Sequence, residues 1–403
     1  MKLLVIAAYD SQLKVASYLS KEFLANSWRV DVRVPKRERG QLSRRQIVDY
    51  SEFSNIGYCK LTVSSILENI QDYSAVLVLT NGRLTQEICF EFGKKVTALT
   101  VRPILITGFV GVNLFDTCVG YQRRLHSDVI FMNAQKDYDD CMFVAKALGF
   151  SGTNVVASGL PFIGEIKKKF DFPDAIETVV FAGQPDVPER IVERVYILSQ
   201  LIEYARRFPE RQVYLKPRHK PSEKSIHYTR HHYEILLKTY LRKEDIPSNF
   251  AITYKAIDNL LDDTQLFLTV SSTAALEALA KDCHVAILAD LGISERFGNK
   301  YFIGSGMLTT FQKLGDEVYS LPDPDWLSYH VGCDGVAAKV IFERTIRLVD
   351  KQATEHLPFF SSELLENIFE TRSEVERLNV SLVRNVFNTG YYYIVRLFSK
   401  FVS

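Results

Sequence analysis

At 403 residues the chain is longer than one ordinary hydrophobic core organises, and it suits two domains of similar size. Hydrophobic residues at 47% and charged residues at 24% are the balance of a globular protein and exclude a disordered or fibrous chain. The formal charge of +1 excludes a global pull toward nucleic acid, so any anion site has to be local.

Six cysteines (Cys59, Cys89, Cys118, Cys141, Cys283 and Cys333) are scattered without a CxxC pair. That pattern predicts reduced thiols in a cytosolic protein rather than a disulfide frame or a zinc site. The apolar run 3–8 is too short for a signal peptide and ends in Tyr9-Asp10, which reads as a first strand. No stretch of 18 uncharged apolar residues is present to span a membrane.

From the N-terminus, short β-rich runs alternate with amphipathic helical stretches. Strands are predicted at 3–8, 30–34, 75–80, 103–107, 129–133 and 155–158. Helical spacing covers 13–24, 85–96 and 137–148, and a basic loop follows the second strand at 36–45. Near residue 160 the pattern pauses at Gly159-Leu160-Pro161 and a charged stretch, 165–171, read as a linker. It then restarts with strands at 179–182, 212–215, 250–253, 266–270 and 285–289. Helices are predicted at 189–207, from 228, around 257 and at 274–281. Buried strands alternating with helices predict parallel, doubly wound sheets. The expected organisation is α/β, with two Rossmann-like domains facing a cleft: 1–165 on the acceptor side, 175–345 on the nucleotide side, and C-terminal helices over 346–403.

The most informative segment is Tyr214-Leu215-Lys216-Pro217-Arg218-His219-Lys220-Pro221. A strand ends at Leu215 and four potential cations follow within five positions, stiffened by two prolines. Ligands of open α/β sheets bind beyond the carboxyl ends of strands, where such a loop suits a phosphate. Arg218 supplies forked hydrogen bonds there and His219 a further donor. The bland alternative is a solvated basic turn. A second segment, Ser271-Ser272-Thr273-Ala274, follows a buried strand and opens a helix. Small hydroxyl residues at a helix start offer donors to an anion, although the same residues serve equally as structural caps. Gly183 and Gln184, after the first strand of the second half, allow a close backbone approach and a hydrogen bond to a base or sugar carboxylate. A plain turn explains them as well.

The Lys-Pro-x-His-x-Pro loop paired with a downstream Ser-Ser-Thr helix start resembles the HP and SS/T motifs of bacterial GT-B sialyltransferases. Polysialyl-, Kdo- and pseudaminic-acid transferases carry similar elements. The resemblance implies a GT-B fold in which His219, Ser271 and Ser272 grip the phosphate of a CMP-activated acidic sugar. Lys216, Arg218 and Thr273 would support them. Lys220 separates His219 from Pro221, where the stricter pattern has His and Pro adjacent.

An inverting transferase needs a carboxylate as general base on the acceptor hydroxyl. The acid-acid-Gly triplet of the sialyltransferase families is absent, leaving Asp10, Glu87 and Asp116 as candidates. Asp10 comes first, because Tyr9-Asp10-Ser11-Gln12 sits on a strand-to-helix loop, and its bland alternative is a helix cap. Ser11 and Asn81 complete the acceptor-side set. No Asp-x-Asp follows a strand, Asp137 to Asp140 begin a helix, and His231-His232 reads as a solvated helix face, so no metal is expected. Beyond Glu376 there is no acid, and Arg384, Arg396 and Lys400 alternate with aromatics. That tail fits an interfacial helix or one packing on protein.

The reading is therefore a cytoplasmic glycosyltransferase that needs no cofactor, placed at the inner face of the cytoplasmic membrane if the tail is an interfacial helix. It would move a nonulosonic acid from its CMP form to a capsule or lipid-linked glycan acceptor. The alternatives are a UDP-sugar transferase, a hydrolysing UDP-sugar 2-epimerase of the same fold, and a nucleotide-sugar-binding subunit of a glycan assembly complex.

Overall fold

The computed structural model describes residues 1–36, 50, 52–112, 117–147, 149–161, 163, 166, 170–173, 175–223, 229, 231–332, 335–357 and 359. Two parallel sheets organise the unit Met1–Leu357. The first contains β1 (Lys2–Ile6), β2 (Arg29–Pro35), β3 (Asn55–Cys59), β4 (Ala75–Val78), β5 (Ile104–Gly108), β6 (Val129–Met132) and β7 (Val155–Ala157). Its order is β3-β2-β1-β4-β5-β6-β7. The second contains β8 (Thr178–Gly183), β9 (Gln212–Pro217), β10 (Phe250–Ile252), β11 (Leu266–Thr269), β12 (His284–Leu288) and β13 (Leu308–Thr309), in the order β10-β9-β8-β11-β12-β13. Both sheets thus place their third, second and first strands on one side and the fourth onward on the other. The strand order reverses between β1 and β4, and again between β8 and β11. Such a switch point leaves a crevice at the carboxyl ends of the strands.

Helices on both faces explain why the central strands are apolar throughout. Leu3, Leu4, Val5 and Ile6 of β1 are all wholly buried, as are Leu266, Phe267 and Leu268 of β11. The first sheet is wrapped by α1 (Asp10–Ala25), α2 (Val63–Ile66), α3 (Gly82–Val96), α4 (Thr117–Gln122) and α5 (Gln135–Ala147). The second carries α6 (Ile191–Arg207), α7 (Tyr233–Tyr240), α8 (Ile257–Leu261), α9 (Ala274–Ala280), α10 (Phe311–Gly315) and α11 (Pro324–His330). α1 starts where Gln12 folds back and its Oε1 accepts the Ala8 N–H at 2.6 Å and the Tyr9 N–H at 3.2 Å. α3 starts where the Asn81 side chain accepts the Leu84 N–H at 3.0 Å.

The last described helix, α12 (Ala337–Gln352), leaves the second sheet and returns to the first. Ala337, Ala338 and Ile341 join the core of β1, β2 and β5, and the Phe342 ring meets Phe23 edge-on at 5.0 Å. A division at 345 therefore cuts a continuous helix, because the apolar face that begins at Ala337 belongs to the first domain. The tail expected at 380–403 lies outside the described residues. Among the described residues no helix is long and apolar enough to cross a membrane.

The two strands of chain that connect the domains meet glycine against glycine. Gly159 (φ +79°) and Gly332 (φ +71°) pack so closely that a Cβ on Gly332 would lie 2.9 Å from the Gly159 Cα. Only glycine fits both the backbone conformation and the contact.

The end of α12 is tied down by a buried polar cluster. Arg102 donates to both Asp128 oxygens at 2.7 Å, Asp128 accepts the Leu105 N–H at 2.8 Å, and Gln352 exchanges two 3.0 Å bonds with the Arg102 backbone. Asp128→Ala strands a buried guanidinium, and losing one partner of a buried pair costs about 3–5 kcal/mol. Gln352→Ala should cost about 1 kcal/mol. Urea denaturation compares them, and equally small losses in both variants would contradict this anchoring.

Candidate functional site

The basic turn sits at the carboxyl end of β9, next to the switch point between β8 and β11. Lys216 is half-buried; burial and the neighbouring Arg218 push its pKa down, and the Glu277 carboxylate opposes them. Arg218 is exposed. The His219 Nδ1 lies 2.9 Å from the Lys220 carbonyl, to which it can only donate, and its Nε2 lies 3.1 Å from the Thr229 hydroxyl. Lys220 turns away: its backbone N–H meets Glu223, and its ammonium lies 5.8 Å from the Tyr254 ring centre. Three of the four basic side chains thus belong to the carboxyl edge of the sheet.

Beneath the turn are His232, expected on a solvated helix face, and Arg194, which the sequence did not single out. His232 does not lie on a solvated helix face; it is 4% exposed and is the residue that starts α7. Its Nε2 donates to the His219 carbonyl at 2.8 Å, and its Nδ1 accepts the Glu234 N–H at 3.1 Å. Both ring nitrogens are used in the neutral form. Burial holds the His232 pKa below the usual histidine value; the His219 carbonyl opposes this, while the His219 and Arg194 charges add to it. Arg194, 1% exposed on α6, donates to the carbonyls of Pro188 at 2.6 Å, Gln184 at 3.0 Å and Pro185, and lies 4.9 Å from the Tyr233 ring centre. It is a buried cation held by backbone carbonyls. The Tyr233 ring fills the space over Gly183, where a Cβ would meet it at 3.0 Å. Gly183 is small because of that ring.

The Ser-Ser-Thr segment departs from the expectation. Ser271 is 2% exposed, and its hydroxyl donates to the Phe297 carbonyl with Gln184 Oε1 3.1 Å away. The Ser271 N–H also donates to Gln184 Oε1, at 3.2 Å. Ser271 therefore staples the end of β11 to the end of β8, and its single proton is committed to protein acceptors. Gln184 correspondingly gives its carbonyl oxygen to Ser271; its NH₂ makes no hydrogen bond among the described residues. The half-buried Ser272 hydroxyl accepts the Ala274 N–H at 3.2 Å and keeps its own proton to donate. Thr273 is half-buried at the start of α9, which has only seven residues. Anion attraction here therefore rests on side chains rather than on a helix dipole.

The first domain faces this edge with the start of α1. The Lys14 ammonium crosses to Glu277 on α9 at 2.8 Å and to Asp258 on α8 at 3.4 Å. Burial pulls its pKa down, but the two carboxylates outweigh burial and raise it. Glu277, near Lys216 as well as Lys14, links the cations of the two domains. Asp10 is exposed in the first turn of α1, with the Tyr50 hydroxyl 3.4 Å from its carboxylate, and Ser11 is exposed beside it. Gly111 lies across from Thr273, whose methyl would be 3.9 Å from a Cβ added there. Asn133 holds that loop by donating to the carbonyls of Phe109 and Gly111 at 2.8 Å each, and Arg124 donates to the Gly108 carbonyl at 3.1 Å.

Two further acceptor-side candidates make local contacts in α3. Asn81 caps α3, and Glu87 pairs with Arg83 at 3.3 Å on an exposed helix face. Asp116 lies outside the described residues. Among the described residues no group of three His, Cys, Asp or Glu side chains converges as a metal site would.

The Ser271 assignment is testable without a ligand. Ser271→Ala should lower the stability of the unliganded protein by about 1–2 kcal/mol, because buried acceptors lose their donor. Ser272→Ala should cost less than about 1 kcal/mol in the same thermal melts. An unchanged Ser271→Ala melting temperature would return that hydroxyl to the ligand-binding set.

Solved structures carry the same architecture. The chain is similar to the S. aureus MnaA–UDP co-structure, at 14% identity over 89% of this chain and 100% of that one, TM-score 0.58. It is similar to the UDP-N-acetylglucosamine 2-epimerase of Rickettsia bellii, at 14% identity over 87% and 97%, TM-score 0.55. The UDP-GlcNAc 2-epimerase of Neisseria meningitidis bound to UDP-GlcNAc gives 12% identity over 88% and 100%, TM-score 0.53. At these identities the likeness establishes the fold: GT-B, with two Rossmann-like domains. Among curated proteins no relative matches. With a family-model match running over residues 3–334 of 403, the chain belongs to the family described as "Putative glycosyltransferase (DUF6716)".

Proposed function

We propose that this protein is a glycosyltransferase that binds the nucleotide diphosphate of a UDP-sugar at the carboxyl edge of its second sheet. The observation that carries the reading is the gathering of Lys216, Arg218 and His219 at the end of β9, beside the switch point. Two cations, Lys216 and Arg218, on a turn that His219 holds through Lys220 and Thr229, match a diphosphate better than the single phosphate of a CMP-sugar. The CMP reading leaned on two serine hydroxyls, and Ser271 has given its proton to protein acceptors. Similar folds solved with UDP and with UDP-GlcNAc favour the same nucleotide. The fold also suits hydrolysing epimerases; the family match favours transfer.

In the proposed reaction Asp10 takes the proton of an acceptor hydroxyl on a glycan or lipid-linked glycan. The hydroxyl oxygen attacks the donor's anomeric carbon from the face opposite the leaving group. The bond from that carbon to the diphosphate oxygen breaks, and the electron pair leaves with UDP. Lys216, Arg218 and the Ser272 hydroxyl stabilise the charge that develops on the diphosphate, more strongly than they stabilise the intact donor, and His219 holds the turn that carries the two cations. The product is the inverted glycoside.

Thermal melts with UDP, CMP, UMP, CDP and GDP, with magnesium or with EDTA, test the donor assignment. Ligand at 100 times Kd stabilises the native state by about 2.7 kcal/mol. UDP should give the largest rise, reduced in His219→Ala. A selective response to CMP would restore the acidic-sugar donor, and no response to any nucleotide would remove the donor site. In turnover assays Asp10→Asn should lower kcat by ~10²-fold or more while leaving the UDP-induced shift intact. UDP binding with no turnover across glycan acceptors would favour a binding subunit.

A further inference from the structure

We infer that His232 is a positioning residue for the phosphate-binding turn, acting through the backbone carbonyl of His219. The inference rests on the donor reading above.

Two constraints meet at this ring. The Nδ1 accepts the Glu234 N–H at 3.1 Å, which starts α7, and the Nε2 donates to the His219 carbonyl at 2.8 Å. A neutral imidazole with its proton on Nε2 satisfies both at once; no other common side chain offers a donor and an acceptor at opposite corners of a rigid ring. The imidazole is 4% exposed, and its ring centre lies 5.7 Å from that of His219. Among the described residues its polar contacts fix the start of one helix and one peptide plane of the turn.

That peptide plane matters because it lies between His219 and Lys220. The His219 Nδ1 faces the next carbonyl, Lys220, at 2.9 Å, and its Nε2 faces Thr229 at 3.1 Å. The same peptide carries the Lys220 N–H, which donates to Glu223 at 3.0 Å, so its plane is held at the carbonyl by His232 and at the N–H by Glu223. Arg194 and Tyr233 fix the opposite wall, the end of β8, from the same layer. The turn is therefore oriented from beneath, by groups that need not touch the ligand.

The two functions of the ring can be separated by substitution. His232→Asn keeps a side-chain oxygen close enough to cap Glu234 but is too short to reach the His219 carbonyl. His232→Gln places an amide NH₂ near the position of Nε2 and is a poor helix cap. UDP and CMP binding would be measured by calorimetry on the full chain, with each variant's melting temperature recorded without ligand. The positioning role predicts that His232→Asn stays folded yet binds UDP about three- to tenfold more weakly, and that His232→Gln recovers to within about twofold of wild type. The reverse order, Asn binding like wild type and Gln weakened, would assign the ring to helix capping alone and overturn the inference. Equal losses in both, or failure of His232→Asn to fold, would make the residue structural and overturn it too. If the wild type binds neither nucleotide, the donor reading fails and this inference with it; if the wild type binds and His232→Asn is unchanged, only this inference fails.

Discussion

Two wholly parallel sheets with both faces covered set where the described polar groups can stand. A strand such as β1 or β11 has no solvated side, so it cannot present a functional group along its length. Polar groups are left to the loops at strand ends, and the reversal of strand order leaves a crevice there. In the second sheet the ends of β8, β9 and β11 surround that reversal and carry Gln184, Lys216 to His219 and Ser272. In the first sheet the end of β1 carries Asp10. The same constraint requires the loops to be held from inside, where free backbone groups are costly. Arg194 saturates the carbonyls after β8, Ser271 links β8 to β11, His232 holds the turn after β9, and Asn133 holds the loop after β5.

The two domains are joined by more than a linker. α12 returns its apolar face to the first core and locks its end onto Arg102 and Asp128. Gly159 and Gly332 bring the two connecting segments into backbone contact, and Lys14 spans the cleft to Glu277 and Asp258. Partly exposed ion pairs are worth little in stability, about 0–1 kcal/mol. Lys14 therefore sets the approach of α1 to the second domain without locking it. The carboxylate it meets, Glu277, is also the neighbour of Lys216.

The sequence made the buried strands readable because parallel strands are continuous apolar runs, and the repeat of the pattern beyond residue 178 announced the second sheet. It did not announce β3, where Asn55–Cys59 is an edge strand with half-exposed residues and a glycine, nor the two-residue β13. The placement of Lys216 to His219 at the end of β9 was legible because an apolar strand there runs into a basic, proline-flanked segment; their role toward a phosphate is the proposal made for them. Ser271 was misread because a serine beside a helix start looks the same whether its hydroxyl serves a ligand or a carbonyl 26 residues away in sequence. His232, Arg194 and Lys14 were illegible for the converse reason: each owes its role to a partner that only the folded chain brings near. His231-His232 in particular looks polar in sequence, yet the second ring is buried between a helix start and a turn carbonyl.

Ligand recognition is proposed at the carboxyl edge of the second sheet, facing the start of α1. Hydrogen–deuterium exchange of the full chain, with and without saturating UDP, tests it most directly. The account predicts slowed exchange in peptides covering 215–220 and 270–275, with weaker protection around 8–14 as the first domain engages. Protection confined to other surfaces, such as the polar groove between α6 and α10 lined by Tyr196, Gln200 and Gln312, would contradict it.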